Sequence, residues 1–348
     1  MAKRRLYNIV DSDVLRERIR EEAEPRTTLT FYRYFPVPDV PAYRDRMYAA
    51  FEDLSILGRV YVSSEGVNAQ VSVPDEMLSH FESILSHFGL HGVRLNIAIE
   101  NSAKSFYKLI IRLREKIVAD GLEAGELNLG EKGKHLSAKE FNEITDRPDT
   151  IIVDMRNHYE SEVGHFEGAL LPDVGTFRES LPIVADMLAE EKNKPVVMYC
   201  TGGIRCEKAS AYMKARGFGN VYQLDGGIIE YARQVKEQGL LNKFHGKNFV
   251  FDERLGERIS DEIIAHCHQC GAPADTHVNC ANNACHVLFI QCASCQEKYQ
   301  GCCSDKCAEF IQLPEEVQRE RRKTEEFNGT KFRKGRFKAF QGGGEVKR

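Results

Sequence analysis

The residues best suited to chemistry stand where an apolar stretch ends. Residues 196–199, three apolar residues and a tyrosine, run directly into Cys200, and two glycines, Arg205 and a helical pattern over 206–215 follow. This order predicts a buried strand, a tight loop and a helix N-terminus. Such a loop directs several backbone N–H groups at one atom, and the helix dipole adds partial positive charge there. We therefore expect Cys200 to be held as the reactive thiolate, beside the fixed cation of Arg205.

The alternative for Cys200 is a structural cysteine that ends a buried strand, which is common in proteins. The glycine pair and the arginine at the helix start favour the catalytic interpretation. The candidate active-site loop continues after the cysteine with Thr201, Gly202, Gly203, Ile204, Arg205 and Cys206. Cys206 either resolves an oxidised Cys200 or packs in the first turn of the helix.

The length of this loop bears on its substrate. Six residues run from Cys200 to Arg205, counting both ends. The stretch resembles the active-site loop of the rhodanese superfamily, whose sulfur-handling members accommodate a persulfide in a loop of this length. Related phosphatases use one residue more to admit a phosphate. The resemblance therefore implies thiol chemistry on sulfur or on a small electrophile, not phosphate hydrolysis.

A second group of chemically active residues follows the first. Of the 11 cysteines, nine fall in one segment of about forty residues: Cys267, Cys270, Cys280, Cys285, Cys292, Cys295, Cys302, Cys303 and Cys307. In a cytosolic protein this density favours a metal over disulfides, and paired knuckles of the CxxC type are typical of zinc. Four pairs would hold two zinc ions with one cysteine to spare. We expect the first and third pairs to share one zinc ion, and the second and fourth pairs to share the other. Free packed thiols or partial metal loading would fit the same spacing.

Length and composition indicate the number of domains and the class of protein. A chain of 348 residues with 42% hydrophobic and 29% charged residues predicts two or three domains of ordinary type. The sequence contains no run of about 18 apolar residues, so no membrane span is expected. The basic start lacks the apolar region of a secretory signal. We therefore expect a cytoplasmic protein without a membrane partner. No nicotinamide, flavin or haem fingerprint is present, and the oligomeric state stays open.

Charge is distributed unevenly. Residues 319–348 carry a net charge of +7, whereas the rest of the chain carries −11. A basic tail on an acidic body predicts a polyanionic partner. Lys331, Arg333 and Lys334 interleave with phenylalanines, a pattern suited to phosphate contact and base stacking on single-stranded RNA. A plain solubilising tail over 313–348 is the alternative.

The elements before the cysteine loop form two groups. After an arm over 1–26, residues 27–100 have the pattern βαββαβ of a ferredoxin-like domain. Tyr32 on the first strand faces either bases or the core. In the predicted linker, 101–132, a basic strand carries Lys104, Lys108 and Arg112, which either follow a phosphate backbone or form a solvated face.

Strands alternate with helices over 133–245, which predicts an open α/β sheet with ligands bound at the carboxyl ends of the strands, where Cys200 falls. The cysteine-rich, metal-binding segment is predicted over 246–312. The fold class is therefore α+β and α/β multidomain, in three parts: ferredoxin-like, rhodanese-like and zinc-type.

Four short stretches match rhodanese signatures in order: Asp154-Met155-Arg156, Gly164 to Ala169, Cys200 to Arg205, and Leu224 to Ile228. With a hairpin Glu65-Gly66-Val67-Asn68 and the nine-cysteine segment, the whole chain resembles the rhodanese-like tRNA wobble-uridine hydroxylases. The resemblance implies an oxidoreductase that hydroxylates carbon 5 of the wobble uridine in tRNA, with molecular oxygen as co-substrate. It also implies that Asp154 and Arg156 support the loop and take no part as nucleophiles.

Two chemical routes stay open for Cys200. Its thiolate either adds to carbon 6 of the uracil, making carbon 5 electron-rich, or carries an oxidised sulfur species itself. A persulfide sulfurtransferase and a non-catalytic RNA-binding protein are the alternative functions.

Overall fold

The N-terminal part is a five-stranded sheet with two helices on one face. The structure is a computed structural model that describes residues 6–100, 104–123, 125–329 and 337. Lys331, Arg333 and Lys334 of the predicted RNA-binding tail lie outside these residues. The elements are, in chain order: α1 Ser12–Glu21, β1 Arg26–Tyr34, α2 Val40–Asp53, β2 Leu57–Ser63, β3 Gly66–Pro74, α3 Leu78–His87, β4 Asn96–Ile97 and β5 Leu109–Leu113.

The strand order of this sheet is β4-β1-β3-β2-β5, with β5 parallel to β2 and the other pairs antiparallel. The prediction of a ferredoxin-like βαββαβ domain is confirmed. Alternation along β3 turns Val67, Ala69 and Val71 toward the helices, where they are fully buried. Asn68 and Gln70 therefore lie on the opposite, polar face of the sheet.

One boundary differs from the prediction. The stretch assigned to the linker 101–132 contributes β5 as an edge strand of the first sheet. Leu109 and Ile111 of this strand are buried in the N-terminal core. The strand itself was expected here; its pairing with β2 joins residues about fifty positions apart and has no local signal.

The central part is a parallel sheet with helices on both faces, as predicted. Its elements are: β6 Lys134–Leu136, α4 Ala138–Thr145, β7 Ile151–Asp154, α5 His158–Ser161, β8 Gly164–Phe166, α6 Phe177–Met187, β9 Val196–Tyr199, α7 Ile204–Ala215, β10 Val221–Leu224 and α8 Gly227–Gln238. The parallel strand order is β6-β10-β9-β7. Because β9 is central and buried on both faces, its carboxyl end opens at the edge where ligands bind in such sheets.

The C-terminal part is built from short strands and helices: β11 Phe244–Asn248, β12 Glu257–Arg258, β13 His277–Asn279, β14 Leu288–Ile290, α9 Ala293–Lys298, α10 Asp305–Ile311 and α11 Glu315–Arg321. Strand β11 pairs with β8 of the central part, so the chain crosses the predicted boundary at residue 245 inside a strand. In the part of the chain described, no helix has the length and apolar character needed to cross a membrane.

Candidate active site

Cys200 lies at the carboxyl end of β9, and all four residues of that strand are buried. Its side chain is fully buried, and the backbone N–H of Gly203 donates to its Sγ at 3.2 Å. Gly203 reaches this position with φ of +94°, in the left-handed region that glycine favours. A Cβ there would also lie 3.0 Å from the Tyr32 hydroxyl oxygen. The glycine therefore lets the loop turn its amide onto the sulfur.

The electrostatic surroundings favour the thiolate form of Cys200. Burial alone would raise the pKa of this thiol, but a hydrogen bond from the Cys206 thiol, the charge of Arg205 and the backbone N–H groups of Arg205 and Cys206 outweigh it. The resulting pKa is about 6. Burial and the hydrogen bond to Cys200 raise the pKa of Cys206 well above its usual range. The two sulfurs are therefore a thiolate and a neutral thiol in contact.

Arg205 is held by a carboxylate that sequence reasoning missed. Its guanidinium donates to both oxygens of Glu160 at 2.7 and 2.8 Å, and it approaches Thr201 Oγ1 at 3.4 Å. Glu160 is fully buried on α5, where its side chain also accepts from the Asn157 amide in a capping box. The spacing of Asn157 and Glu160 is the sequence signal that would have located it.

Asp154 and Arg156 form a separate buried pair behind the loop. Arg156 Nη2 donates to Asp154 at 2.6 Å and to the carbonyl of Gly164 at 2.6 Å, and both side chains are fully enclosed. The pair therefore ties the end of β7 to the start of β8. In the described chain no hydrogen bond or ion pair joins either residue to Cys200, so their expected role as loop support stays a prediction with a compatible geometry.

The loop opens into a cavity of about 980 Å³ that all three parts of the chain line. The loop contributes residues 200–202, Ile204 and Arg205, and the N-terminal sheet contributes its polar face. The C-terminal part contributes residues 250–252, Arg254 and Glu257, which no sequence motif had placed here. Such convergence depends on tertiary packing and leaves no local signal.

Tyr32 and its neighbour Tyr34 dock the N-terminal sheet on α7. The hydroxyl of Tyr32 donates to Glu207 at 3.2 Å, and that of Tyr34 donates to the Ile204 carbonyl at 3.2 Å. Tyr32 also lines the cavity. Tyr32 is thus anchored beside the active-site loop, and its contact with RNA bases stays a prediction.

The three residues of the candidate basic track lie in different surroundings. Lys104 contacts the Glu24 carbonyl at 3.1 Å and the Glu22 carboxylate at 3.8 Å, and Lys108 donates to Ser12 Oγ at 3.2 Å. These contacts hold both lysines against the N-terminal arm. Arg112, by contrast, is exposed.

The hairpin motif Glu65 to Asn68 contacts two other segments of the chain. Glu65 accepts from the Ile117 amide at 2.8 Å and from Lys208 Nζ at 2.9 Å. Asn68 Nδ2 donates to the Ile117 carbonyl at 3.1 Å, and Lys208 also binds Asp120 at 2.6 Å. The motif thus fastens the sheet and the following chain to α7, two turns from Cys200.

The cysteine-rich segment gathers its thiols into two groups. One contains Cys267, Cys270, Cys292 and Cys295, and the other Cys280, Cys285, Cys303 and Cys307. These groups combine the first pair with the third and the second with the fourth. Cys302, one of the candidate ligands, belongs to neither group; it is buried, and its carbonyl accepts from Gln269 and Gln291.

The geometry of both groups fits a tetrahedral metal ion. Sulfurs bound to zinc at about 2.3 Å lie about 3.8 Å apart at the corners of a tetrahedron. The Sγ atoms of Cys270 and Cys292 are 3.6 Å apart, and Cys303 lies 3.7 Å from both Cys285 and Cys307. The backbone N–H of Cys303 also points at Cys280 Sγ at 3.4 Å, as donors do around metal thiolates.

The thiolate at the end of a central parallel strand and the amide-lined loop after it define a rhodanese-like domain. Family models match three consecutive stretches: the UPF0176 acylphosphatase like domain at residues 26–117, the rhodanese-like domain at 137–234 and the rhodanase C-terminal region at 245–308. The first match includes β5, in agreement with the sheet.

Proteins named tRNA uridine(34) hydroxylase are similar to this chain over nearly its full length. That of Enterobacter sp. (strain 638) is 54% identical over 334 residues, or 95% of each chain. That of Pectobacterium carotovorum subsp. carotovorum (strain PC1) is 55% identical over 94% of this chain and 92% of its own. That of Yersinia enterocolitica is 55% identical over 94% of each. This chain belongs to the tRNA uridine(34) hydroxylase family.

Proposed function

We propose that this protein hydroxylates carbon 5 of the wobble uridine, position 34, in tRNA anticodons. The observation that carries the proposal is a thiolate-favouring Cys200 facing a cavity of about 980 Å³, in a chain of this family. A cavity of this size is in the range that holds small ligands, and an extruded base is such a ligand. A tRNA substrate also implies a cytoplasmic location.

Cys200 supplies the nucleophile. Its sulfur bonds to carbon 6 of the uracil, and the electron pair of the carbon 5–carbon 6 double bond moves onto carbon 5 and the adjacent carbonyl. The Gly203 amide and the Arg205 guanidinium stabilise the sulfur's negative charge before the attack and again when the sulfur leaves. Carbon 5 then bonds to molecular oxygen, the proposed co-substrate, and takes up a proton to give a hydroperoxide.

Cys206 supplies the reducing equivalents. Its thiol cleaves the hydroperoxide, leaving a hydroxyl on carbon 5 and a sulfenic acid on Cys206. Loss of the proton from carbon 5 expels Cys200 from carbon 6 and restores the double bond. Cys200 then condenses with the sulfenic acid, so that a disulfide and water form. The net reaction converts uridine, oxygen and two thiols into 5-hydroxyuridine, water and a disulfide, which a cellular dithiol reduces.

The two cysteine groups are proposed to hold one structural zinc ion each. The ligands are the four thiolates of each group already described, and four-thiolate sites are closed to substrate. Zinc there supplies folding free energy to a part of the chain with only short strands. No step of the hydroxylation involves it.

The test compares tRNA nucleosides from cells that lack this protein with those from cells that regain it. Loss of 5-hydroxyuridine derivatives, restored by the wild-type gene and not by Cys200→Ser, is the expected result. Cys302→Ser serves as the matched control, because its sulfur contacts Cys280 but belongs to neither the active site nor a four-cysteine group. Restoration by Cys200→Ser would refute the role of the thiolate.

The same measurement separates the alternative functions. Loss of a thiolated nucleoside in place of 5-hydroxyuridine would indicate sulfur transfer from a persulfide on Cys200. An unchanged nucleoside profile would indicate an RNA-binding protein without this activity.

A further inference from the structure

The polar face of the N-terminal sheet leads from an exposed edge to the active-site loop. Strand pairing fixes which residues stand side by side on this face. In one row Arg112 of β5 pairs with Tyr61 of β2, Tyr61 with Asn68, and Asn68 with Tyr32. Three inter-strand spacings separate the ends of this row, or about 14 Å.

A second row runs beside the first and ends on the loop itself. Arg59 of β2 pairs with Gln70, Gln70 with Thr30, and Thr30 with Asn96. Asn96 Nδ2 then contacts the carbonyl of Gly202 at 3.4 Å. The two rows therefore lead from the sheet edge to the Cys200 loop, and most of their residues line the cavity. The first row is bridged at Asn68, whose amide donates to the Ile117 carbonyl.

Two of the four arginines that line the cavity, Arg59 and Arg178, have no ion-pair partner in the described part of the chain. Of the cavity arginines, Arg205 is neutralised by Glu160, and Arg254 by Asp252 and Glu257. Arg59 and Arg178, by contrast, have no carboxylate within ion-pair distance among residues 6–100, 104–123, 125–329 and 337.

Arg112, at the outer end of the first row, is likewise without a carboxylate partner in the described chain. Glu179, the acidic neighbour of Arg178 on α6, is held by the amides of Gly175 and Thr176 and does not pair with it. Arg59, Arg112 and Arg178 are therefore available to an anion.

We propose that this face binds the single-stranded RNA that flanks the reacting uridine, with phosphates on Arg59, Arg112 and Arg178. The proposal deepens the hydroxylase function and rests on it for the identity of the RNA. Arg59 and Arg112 lie on the sheet, and Arg178 lies on α6 across the cavity. A backbone that passes between these two walls delivers one base toward Cys200.

Tyr61 gives the surface a place for a base. It stands between Arg112 and Asn68 in the first row, and the guanidinium of Arg114 lies 5.4 Å from the centre of its ring. Stacking on an aromatic ring is sequence-tolerant, because every base has a π face. Tyr61 therefore suits a nucleotide next to the modified one, whatever its identity.

Binding of a synthetic anticodon stem-loop RNA to the full chain tests the proposal. Arg59→Glu and Arg112→Glu are expected to weaken binding about tenfold each. In the corresponding alanine variants, the slope of log affinity against log salt concentration should become shallower by about one, because one phosphate contact is lost. Arg46→Glu is the matched control, because Arg46 is exposed on α2, on the opposite side of the same sheet. Thermal melting confirms that each variant is folded.

Tyr61 is tested by a pair of substitutions. Tyr61→Leu is expected to weaken RNA binding at least about fivefold, and Tyr61→Phe to preserve it, since the ring and not the hydroxyl stacks. Equal affinities for both variants would overturn the role of the ring.

The outcomes separate the binding face from the hydroxylase function. Suppose that the wild-type protein hydroxylates tRNA, and that Arg59→Glu and Arg112→Glu bind the stem-loop RNA as tightly as Arg46→Glu does. The proposed RNA-binding face is then refuted, and the hydroxylase function stands. If the wild-type protein binds the RNA through this face but forms no 5-hydroxyuridine, the function is refuted and the face stands.

Discussion

The active site holds one cysteine that favours the thiolate, Cys200, beside one that stays a neutral thiol, Cys206. Both are fully buried, but Cys200 accepts from backbone amides at the start of α7, whereas Cys206 donates to Cys200. In the proposed reaction the Cys200 thiolate is the nucleophile, and the Cys206 thiol is kept for reduction of the hydroperoxide. Cys206 directly follows the six-residue loop and lies in the first turn of α7, which places its thiol beside Cys200.

Removal of the Cys206 donor should raise the pKa of Cys200. The folded-state pKa of about 6 lies below that of free cysteine, so the thiolate predominates at pH 7 and is lost as pH falls through 6. In Cys206→Ala the alkylation rate of Cys200, followed on its own peptide by mass spectrometry, should fall at pH 7 and its midpoint should move upward. Cys206→Ser retains a donor and should keep the midpoint low. An unchanged midpoint in the alanine variant would contradict the hydrogen bond's role.

Helix α5 positions the cation of the site through Glu160. Replacement by Glu160→Gln leaves Arg205 buried without its carboxylate, which should cost about 3–5 kcal/mol of unfolding free energy. The pKa of Cys200 should fall further, because the guanidinium charge is no longer offset. Chemical denaturation and Cys200 alkylation measure the two effects.

The matched control is Glu143→Gln, an exposed glutamate on α4 that should change neither quantity. A stability loss with a higher pKa of Cys200 would show that Glu160 acts on the sulfur in some other way.

The short elements of the C-terminal part depend on the cysteine groups. Metal analysis of the purified protein should find two zinc ions per chain. Cys303→Ser should reduce this to one and lower the melting temperature, because a four-thiolate site loses a ligand. Cys302→Ser should retain both ions, since Cys302 belongs to neither group. A protein without stoichiometric metal would refute the assignment.

At the scale of the whole molecule, the active site exists only because three parts of the chain meet. Lys208 on α7 is buried and binds Glu65 of the first sheet and Asp120 of the following stretch. One cation thus joins the hairpin and the chain after β5 to the helix that carries the loop. The cavity's shape depends on this junction.

Removal of this cation should loosen the junction. Lys208→Met leaves Glu65 without its cation and Asp120 with Lys116 alone, and we expect a loss of about 3 kcal/mol. Limited proteolysis should then cut faster between residues 114 and 123. Lys214→Met, an exposed position on the same helix, should change neither measurement. Equal proteolysis of both variants would argue against the junction.

The sequence predicted the features formed by neighbouring residues, and it did not predict contacts between residues far apart in the chain. The Cys200 loop, the paired cysteines and the alternating strands depend on residues close together in the chain, so pattern and spacing sufficed. Glu160 contacts Arg205 across 45 residues, and Lys208 contacts Glu65 across 143. Partners at such separations carry no periodic signal. Strand β5 was placed in a linker because its pairing with β2 joins residues about fifty positions apart.

The most direct measurement of the central claim is oxygen transfer to an unmodified tRNA by the purified protein under ¹⁸O₂ with a dithiol reductant. We predict 5-hydroxyuridine at position 34 that carries one ¹⁸O atom, and no product with Cys200→Ser. Product formed equally by the Cys200→Ser protein, or 5-hydroxyuridine whose oxygen comes from water, would contradict the claim.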